Sequence, residues 1–313
     1  MTEKSTRAHL DWTEDNMTRK FCLLLAATAA IALPPMQAVA QEKADTPGEI
    51  VVSGVLDEEQ PVVNQVTRTI TQRPRTGKPL SRQYAQVCVG VFGMAPEYAQ
   101  VIITRVEANA RALDIPVGGD GCQVNTLIGF VKDSKAEVVK LRKEQPWLFS
   151  TMLDYQYERI LKGNGAVQAW HATMVKGANG KEFASAVIAG REVVINKQFS
   201  ASNIADQVRV DMEGSIVLFD TAFVPGKTLQ QLADYASMRS FASVLDLSEG
   251  DPAGPPTILT LFNKDGSAPD GLSPYDWSYL TALYKLPATA SGDALIDATW
   301  SEYRKGGIAP DGR

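Results

Sequence analysis

The helix predicted between residues 228 and 245 constrains the fold of this chain most, because apolar side chains cover most of its circumference. Thr228 followed by Gln231 forms a capping box, which predicts where the helix begins. Two apolar faces follow, made of Leu229, Leu232, Ala233, Ala236 and Val244 on one side and Tyr235, Met238, Phe241 and Leu245 on the other. A helix that is apolar on most sides is buried, so we expect other elements to pack around it.

Strand and helix patterns alternate along residues 84–305 and predict an α+β domain. The runs with strand patterns are 88–93, 126–131, 167–175, 191–196, 207–212, 215–220 and 257–262. The run 215–220 is more uniformly apolar than the others, as expected of a central strand. Helical spacing occurs at 96–113, 135–145, 147–161, 274–284 and 293–304. We therefore predict one globular domain at 84–305, in which a mixed β-sheet packs against several helices.

A signal peptide is predicted at residues 17–40. Two basic residues precede an apolar run of 13 residues at 21–33, and an A-x-A cleavage site follows. A membrane-spanning helix needs roughly 20 apolar residues, so the run is too short to favour a retained anchor. We expect cleavage between Ala40 and Gln41, no stable membrane anchor afterwards, and a periplasmic or secreted protein.

Three further segments lie outside the predicted signal peptide and the predicted domain. Residues 1–16 contain four acidic side chains, which do not suit a signal peptide, so we interpret them as an upstream extension before a start at Met17. Residues 41–83 are rich in charged side chains and predict a flexible arm or linker, with one short strand at 49–55. Residues 306–313 predict a disordered tail.

Charge and cysteine content narrow the classes of function. The formal net charge is −5 and the isoelectric point is near 5.3, without a long basic run, so nucleic acid is excluded as a partner. Cys88 and Cys122 are the two cysteines that remain after cleavage at Ala40. In an oxidising compartment such a pair predicts one disulfide bond.

The histidine content limits the chemistry further. One histidine, His171, follows the leader, so a zinc site with two or three imidazoles is excluded. His171 follows Trp170 in a predicted strand, which places the two side chains on opposite faces. Motifs for a serine nucleophile, a phosphate loop or a dinucleotide are lacking. We expect no cofactor and no metal.

Five residues are candidates for a ligand-binding face or a buried polar network. Asp234, Tyr235 and Arg239 lie in the buried helix, where charges need partners to offset their desolvation. Trp170 and His171 are the candidates outside it. The sequence leaves both interpretations open: an internal network that fixes the packing, or a face that binds a ligand.

Two resemblances add to these patterns. The order of a strand, a buried helix, a variable segment and then Leu272-Ser273-x-x-Asp276-x-x-x-Leu280-x-x-Leu283-Tyr284 resembles the C-terminal part of zincin metallopeptidases. That family carries two histidines one turn apart and a glutamate on the buried helix, whereas the matching helix here contains neither residue type. The sequence Gln-Leu-Ala-Asp-Tyr-x-x-Met-Arg at 231–239 is similar to uncharacterised secreted proteins of Gram-negative bacteria.

These observations favour a non-catalytic binding or accessory protein of the envelope, on a metal-free scaffold like that of zincins. Its partner would be a protein, a peptide or a cell-wall component. The alternative is a periplasmic hydrolase that depends on carboxylates, since acid–base chemistry without histidines falls to carboxylates, tyrosine or lysine. Asp234 and Asp220 are the first candidates for that chemistry.

Overall fold

The computed structural model describes residues 59–72, 79–149, 152–163, 165–188, 191–195, 208–248, 250–266 and 268–307. Outside these residues lie the predictions for 1–16, 17–40, Ala40, Gln41, 49–55 and 308–313. The strands are β1 (Ser81–Arg82), β2 (Val89–Phe92), β3 (Thr126–Val131), β4 (Val167–Gly177), β5 (Ala184–Ile188), β6 (Arg191–Ile195) and β7 (Val208–Asp220). The α-helices are α1 (Gln60–Ile70), α2 (Pro96–Ala112), α3 (Ser134–Glu144), α4 (Asp154–Lys162), α5 (Leu229–Phe241), α6 (Pro274–Lys285) and α7 (Gly292–Tyr303). The predicted α+β class is confirmed.

Strand β7 organises a five-stranded mixed sheet. Strand β7 pairs in parallel with β1 near its N-terminal end and in parallel with β3 from Ser215 onwards, where Ser215 is opposite Thr126. Strand β2 pairs with the other edge of β3 and extends the sheet. Strand β4 pairs with the other side of β7 in the antiparallel direction, with a bulge after Ala172. Among the described residues, β4 has no partner along its second edge. The sequence predicted two strands at 207–212 and 215–220, but they form one continuous strand.

The two faces of the sheet bury different helices. Because side chains alternate along a strand, Val217 and Phe219 of β7 face α5, whereas Ile216 and Leu218 face the opposite layer. Helices α1, α2, α5, α6 and α7 share the first, larger core. Helices α3 and α4 cover the second face, together with the 3-10 turn Pro146–Phe149. Helix α5 is enclosed by these neighbours as predicted, since its residues from Leu232 to Phe241 are all buried.

Helix α1 lies where the sequence predicted a flexible arm, and for these residues the prediction is wrong. Val63, Val66 and Ile70 are fully buried in the larger core, and their spacing of three and four residues is helical. The hydroxyl groups of Thr67 and Thr71 lie 3.0 and 3.1 Å from the phenol oxygens of two buried tyrosines in α6. The charged surroundings of this short stripe obscured it in the sequence.

Two further elements differ from the prediction. Residues 257–262 were expected to form a strand, but they contain the 3-10 turn Ile258–Thr260. The carboxylate of Asp276 accepts hydrogen bonds from the Thr257 hydroxyl and the Ile258 N–H, which holds the chain in this turn. The helix predicted at 147–161 is also divided, since a 3-10 turn ends at Phe149 and α4 begins at Asp154.

The predicted disulfide bond between Cys88 and Cys122 is present, with Cα atoms 6.0 Å apart. It links the start of β2 to the turn before β3, across 34 residues. Replacing both cysteines by alanine should lower the free energy of unfolding by about 3–4 kcal/mol, because the unfolded chain then loses its cross-link. Urea denaturation measures this loss. A reducing agent should lower the midpoint of the wild type and leave that of the double variant unchanged; an unaffected wild type would contradict the prediction.

Candidate functional site

Asp234, a candidate either for a ligand-binding face or for a buried polar network, lies on the side of α5 that packs against α2. Its side chain is fully buried. Oδ1 accepts hydrogen bonds from Arg105 Nε at 2.8 Å and from Asn109 Nδ2 at 2.7 Å, and Oδ2 from Arg105 Nη2 at 2.9 Å and from the Leu272 N–H at 3.1 Å. Four donors satisfy both oxygens, so the carboxylate joins α5, α2 and the start of α6. Its role in this arrangement is structural.

Asp220, the second carboxylate considered for catalysis, is also committed to backbone groups. Its side chain is largely buried at the end of β7. Oδ1 accepts from the Ala222 N–H at 2.9 Å and Oδ2 from the Ser134 N–H at 3.3 Å. These bonds cap two helical segments that follow β7 and β3. Asp220 therefore fixes the direction of the chain after β7 and at the start of α3. Its side chain makes no hydrogen bond or ion pair with Asp234.

Tyr235 and Arg239 face the other side of α5, where they form a compact polar cluster with Asp246. Arg239 Nη1 donates to Tyr235 Oη at 3.0 Å and to Asp246 Oδ1 at 2.6 Å, and Tyr235 Oη donates to the same carboxylate oxygen at 2.5 Å. Asp246 follows α5 in an irregular segment, and no sequence pattern marked it. We refer to Tyr235, Arg239 and Asp246 as the guanidinium cluster.

The environment fixes the charge state of this cluster. Burial raises the pKa of Tyr235 well above its ordinary value of 10.0, so the phenol stays protonated. Burial alone would lower the pKa of Arg239, but the neighbouring Asp246 and Tyr235 raise it above its ordinary value. The cluster thus holds a permanent cation, of which 9% of the side-chain surface remains accessible.

His171 lies beside the cluster on the α5 face of β4. The backbone of Arg239 and of Ser240 approaches its ring and by itself would raise the pKa of the imidazole, while Nε2 has no hydrogen-bond partner among the described residues. Burial, and next the positive charge of Arg239, lower the pKa of His171 to about 4. The imidazole is therefore neutral near pH 7. It is only partly buried as a whole residue, but Nε2 itself is inaccessible.

Trp170 points to the opposite face of β4, as the sequence predicted. Its ring stacks on Phe149 with centroids 5.0 Å apart, and its Nε1 donates to the Leu148 carbonyl at 3.3 Å. The indole anchors β4 to the second layer. The structure therefore brings together Tyr235, Arg239 and His171, keeps Trp170 on the far side of the strand, and separates Asp234 from all of them.

A cavity of about 680 Å³ lies along the edge of β4 that has no strand partner among the described residues, and it reaches Arg239 and Asp246 of the guanidinium cluster. Seven of its lining residues come from β4 itself: Val167, Gln168, Ala169, Trp170, His171, Thr173 and Val175. Residues of α4, its C-cap Gly163 and the segment after α5 form other walls, among them Arg159 and Asp246. The volume is within the range of ligand sites, roughly 300–1,000 Å³. The cavity thus contains residues from both faces of one strand.

A zinc ion of the kind found in zincins does not fit these residues. Tyr235 and Arg239 are one turn apart on α5, as the two metal ligands of that family would be, and Arg239 lines the cavity. A guanidinium group has only donors and no lone pair to offer, so Arg239 cannot be a ligand. Within the described ranges, no group of three or more histidine, cysteine, aspartate or glutamate side chains is close enough to hold a metal.

Comparison of the chain with protein-family models, with curated proteins and with solved structures found no match in any of the three. The resemblance to zincins and to secreted proteins of Gram-negative bacteria therefore depends on the residues quoted for it above. In the described part of the chain, no helix combines the length and the apolar character that crossing a membrane requires.

Proposed function

We propose that the protein is an exported, non-catalytic binding protein that holds an extended peptide along the open edge of β4. One observation carries the proposal: the cavity follows β4 from Val167 to Val175 and includes side chains on both faces of the strand. A peptide that adds to a sheet edge makes main-chain hydrogen bonds with the strand, and its alternate side chains reach opposite faces. At roughly 3.3 Å per residue, this stretch matches a peptide of six or more residues.

The arrangement of carboxylates favours binding over hydrolysis. Neither Asp234 nor Asp220 lines the cavity, and both oxygens of each carboxylate accept hydrogen bonds from the fold. Asp246 does line it, but one of its oxygens is already shared by Arg239 and Tyr235. The order of β7, α5 and α6 supports a scaffold like that of zincins, with a guanidinium group at the position of the metal.

A pocket-filling substitution tests the proposal. Gly163 lines the cavity, and a Cβ there would meet only ordinary contacts, at 3.4 Å or more. Gly163→Phe should therefore place a ring in the cavity and weaken binding of random hexapeptides at least about tenfold, since displaced contacts are lost outright. Mass spectrometry after equilibrium dialysis measures the bound fraction.

The matched control is Gly119→Phe. Gly119 lies in the turn near Cys122, where nothing lies within 4 Å of an added Cβ. This variant should bind the hexapeptides as the wild type does. Equal loss in both variants, or no loss in Gly163→Phe, would contradict a peptide site at β4.

A further inference from the structure

Among the described residues that line the cavity beside β4, positively charged side chains outnumber negatively charged ones, although the chain as a whole carries a formal net charge of −5. Its lining contains two guanidinium groups, those of Arg239 and Arg159, and one carboxylate, that of Asp246. His171 adds no charge near pH 7, because its pKa is lowered to about 4. The local excess of positive charge favours an anionic group on whatever occupies the cavity.

Arg239 has donors left for such a group. Only Nη1 hydrogen-bonds to described residues, namely Tyr235 and Asp246. Nε and Nη2 make no hydrogen bond to a described residue, and 9% of the side chain stays accessible. Two parallel N–H groups of a guanidinium match the two oxygens of a carboxylate. The ion pair with Asp246 holds the guanidinium in place before a ligand arrives, so little side-chain entropy remains to be lost.

The second arginine differs from the first. Arg159 belongs to α4, is exposed, and lies 5.7 Å from the ring centre of Tyr155. An exposed charge is screened by solvent and salt, so it contributes less to selectivity than Arg239. The buried cation is therefore the group that distinguishes one ligand from another.

We infer that the bound peptide carries a carboxylate that Arg239 holds through Nε and Nη2. This inference rests on the proposed peptide-binding function and specifies its ligand class. The carboxylate has two sources, the C-terminus of the peptide or an aspartate or glutamate side chain. Both present the same planar pair of oxygens to the guanidinium group.

Three hexapeptide libraries distinguish these sources. The first has free C-termini and no acidic residues, the second has amidated C-termini and no acidic residues, and the third is amidated with one aspartate or glutamate. The first or the third should bind at least about tenfold more tightly than the second, as expected for a charge-assisted pair in a partly desolvated site. Equal binding of all three would overturn the inference and leave the proposed function standing. No binding of any library would overturn both.

His171 supplies a second measurement that needs no substitution in the cluster. The charge of Arg239 contributes to the low pKa of His171, so a carboxylate paired with Arg239 should raise that pKa towards 6.5. An NMR titration of the full-length protein, with the His171 signal identified through His171→Gln, follows this change. Only the library with the bound carboxylate should shift the titration; a shift with the uncharged library, or none with any, would contradict the assignment.

Substitutions complete the test. Arg239→Met alone leaves Asp246 without its cation, so the double variant Arg239→Met/Asp246→Asn removes both charges together. It should bind the three libraries equally. Arg239→Lys keeps the cation but loses the paired N–H groups, and it should lose part of the preference even if the double variant does not fold. An unchanged preference in a folded variant of either kind would overturn the inference.

Discussion

Asp234→Ala should lower the free energy of unfolding by about 3–5 kcal/mol, because the substitution removes a fully buried carboxylate that accepts hydrogen bonds from Arg105, Asn109 and Leu272. Asn109 Nδ2 would keep only its bond to Ser237 Oγ at 2.9 Å and the Leu272 N–H would lose this acceptor, while the side chain of Arg105 is 39% exposed and can contact water. Urea denaturation followed by circular dichroism measures the loss. The effect is large since this one side chain joins three helices.

The control is Asp154→Ala, which removes a carboxylate that is 94% exposed from its pair with Arg142. Exposed pairs contribute at most about 1 kcal/mol, so its unfolding should barely change. The same measurement distinguishes a structural role of Asp234 from a role in binding. An Asp234→Ala protein with the stability of the wild type but without peptide binding would show that Asp234 belongs to the binding site.

Asp276→Asn should change how stability depends on pH. The Asp276 side chain is fully buried, and burial raises its pKa from 3.8 to about 6. A raised carboxyl pKa contributes stability that is complete below about pH 4 and is lost as pH rises through about 6. At about 1.4 kcal/mol per pH unit, the contribution amounts to about 3 kcal/mol. Asparagine resembles the protonated acid in shape and does not ionise.

The wild type and Asp276→Asn are therefore compared by urea denaturation between pH 4 and pH 7.5. The stability of the variant relative to the wild type should rise by about 3 kcal/mol across this range. Asp276→Ala is the matched truncation, and it should be destabilised at both ends because three donors lose their acceptor. A difference between wild type and Asp276→Asn that is flat with pH would contradict the raised pKa.

The contribution of His171 to stability changes with pH in the opposite direction, over nearly the same pH range. Its pKa is lowered from 6.5 to about 4, so its contribution is present above pH 6.5 and is lost as pH falls through 4. The magnitude is again about 3 kcal/mol. The two contributions offset each other in the wild type between pH 4 and 6.5, and the Asp276→Asn protein should lose stability in acid.

Local sequence signals predicted the helices that begin at a capping residue. Thr228 with Gln231 and Ser273 with Asp276 form capping boxes, and α5 and α6 begin next to them. These interactions span three residues, so the sequence contains all of the information. The same holds for the alternation that placed Trp170 and His171 on opposite faces.

Long-range interactions decided what the sequence did not predict. The partners of Asp234 include Arg105, which is 129 residues away, so the sequence alone left its structural and functional interpretations open. Asp246 accepts a hydrogen bond from Arg239 because the segment after α5 turns back towards the helix, and this segment has no periodic pattern that would predict its path. The 3-10 turn at 258–260 depends on the carboxylate of Asp276, which overrides the β-branched character of the run.

Backbone amide exchange measures directly whether a peptide adds to the edge of β4 that has no strand partner among the described residues. Hydrogen–deuterium exchange of the full-length protein, with and without a saturating random hexapeptide library, is read by mass spectrometry. Fragments that cover residues 167–177 should exchange more slowly with the library present, because the peptide protects the strand. Unchanged exchange there, or protection confined to the second cavity of about 420 Å³ beside Trp277, would contradict it.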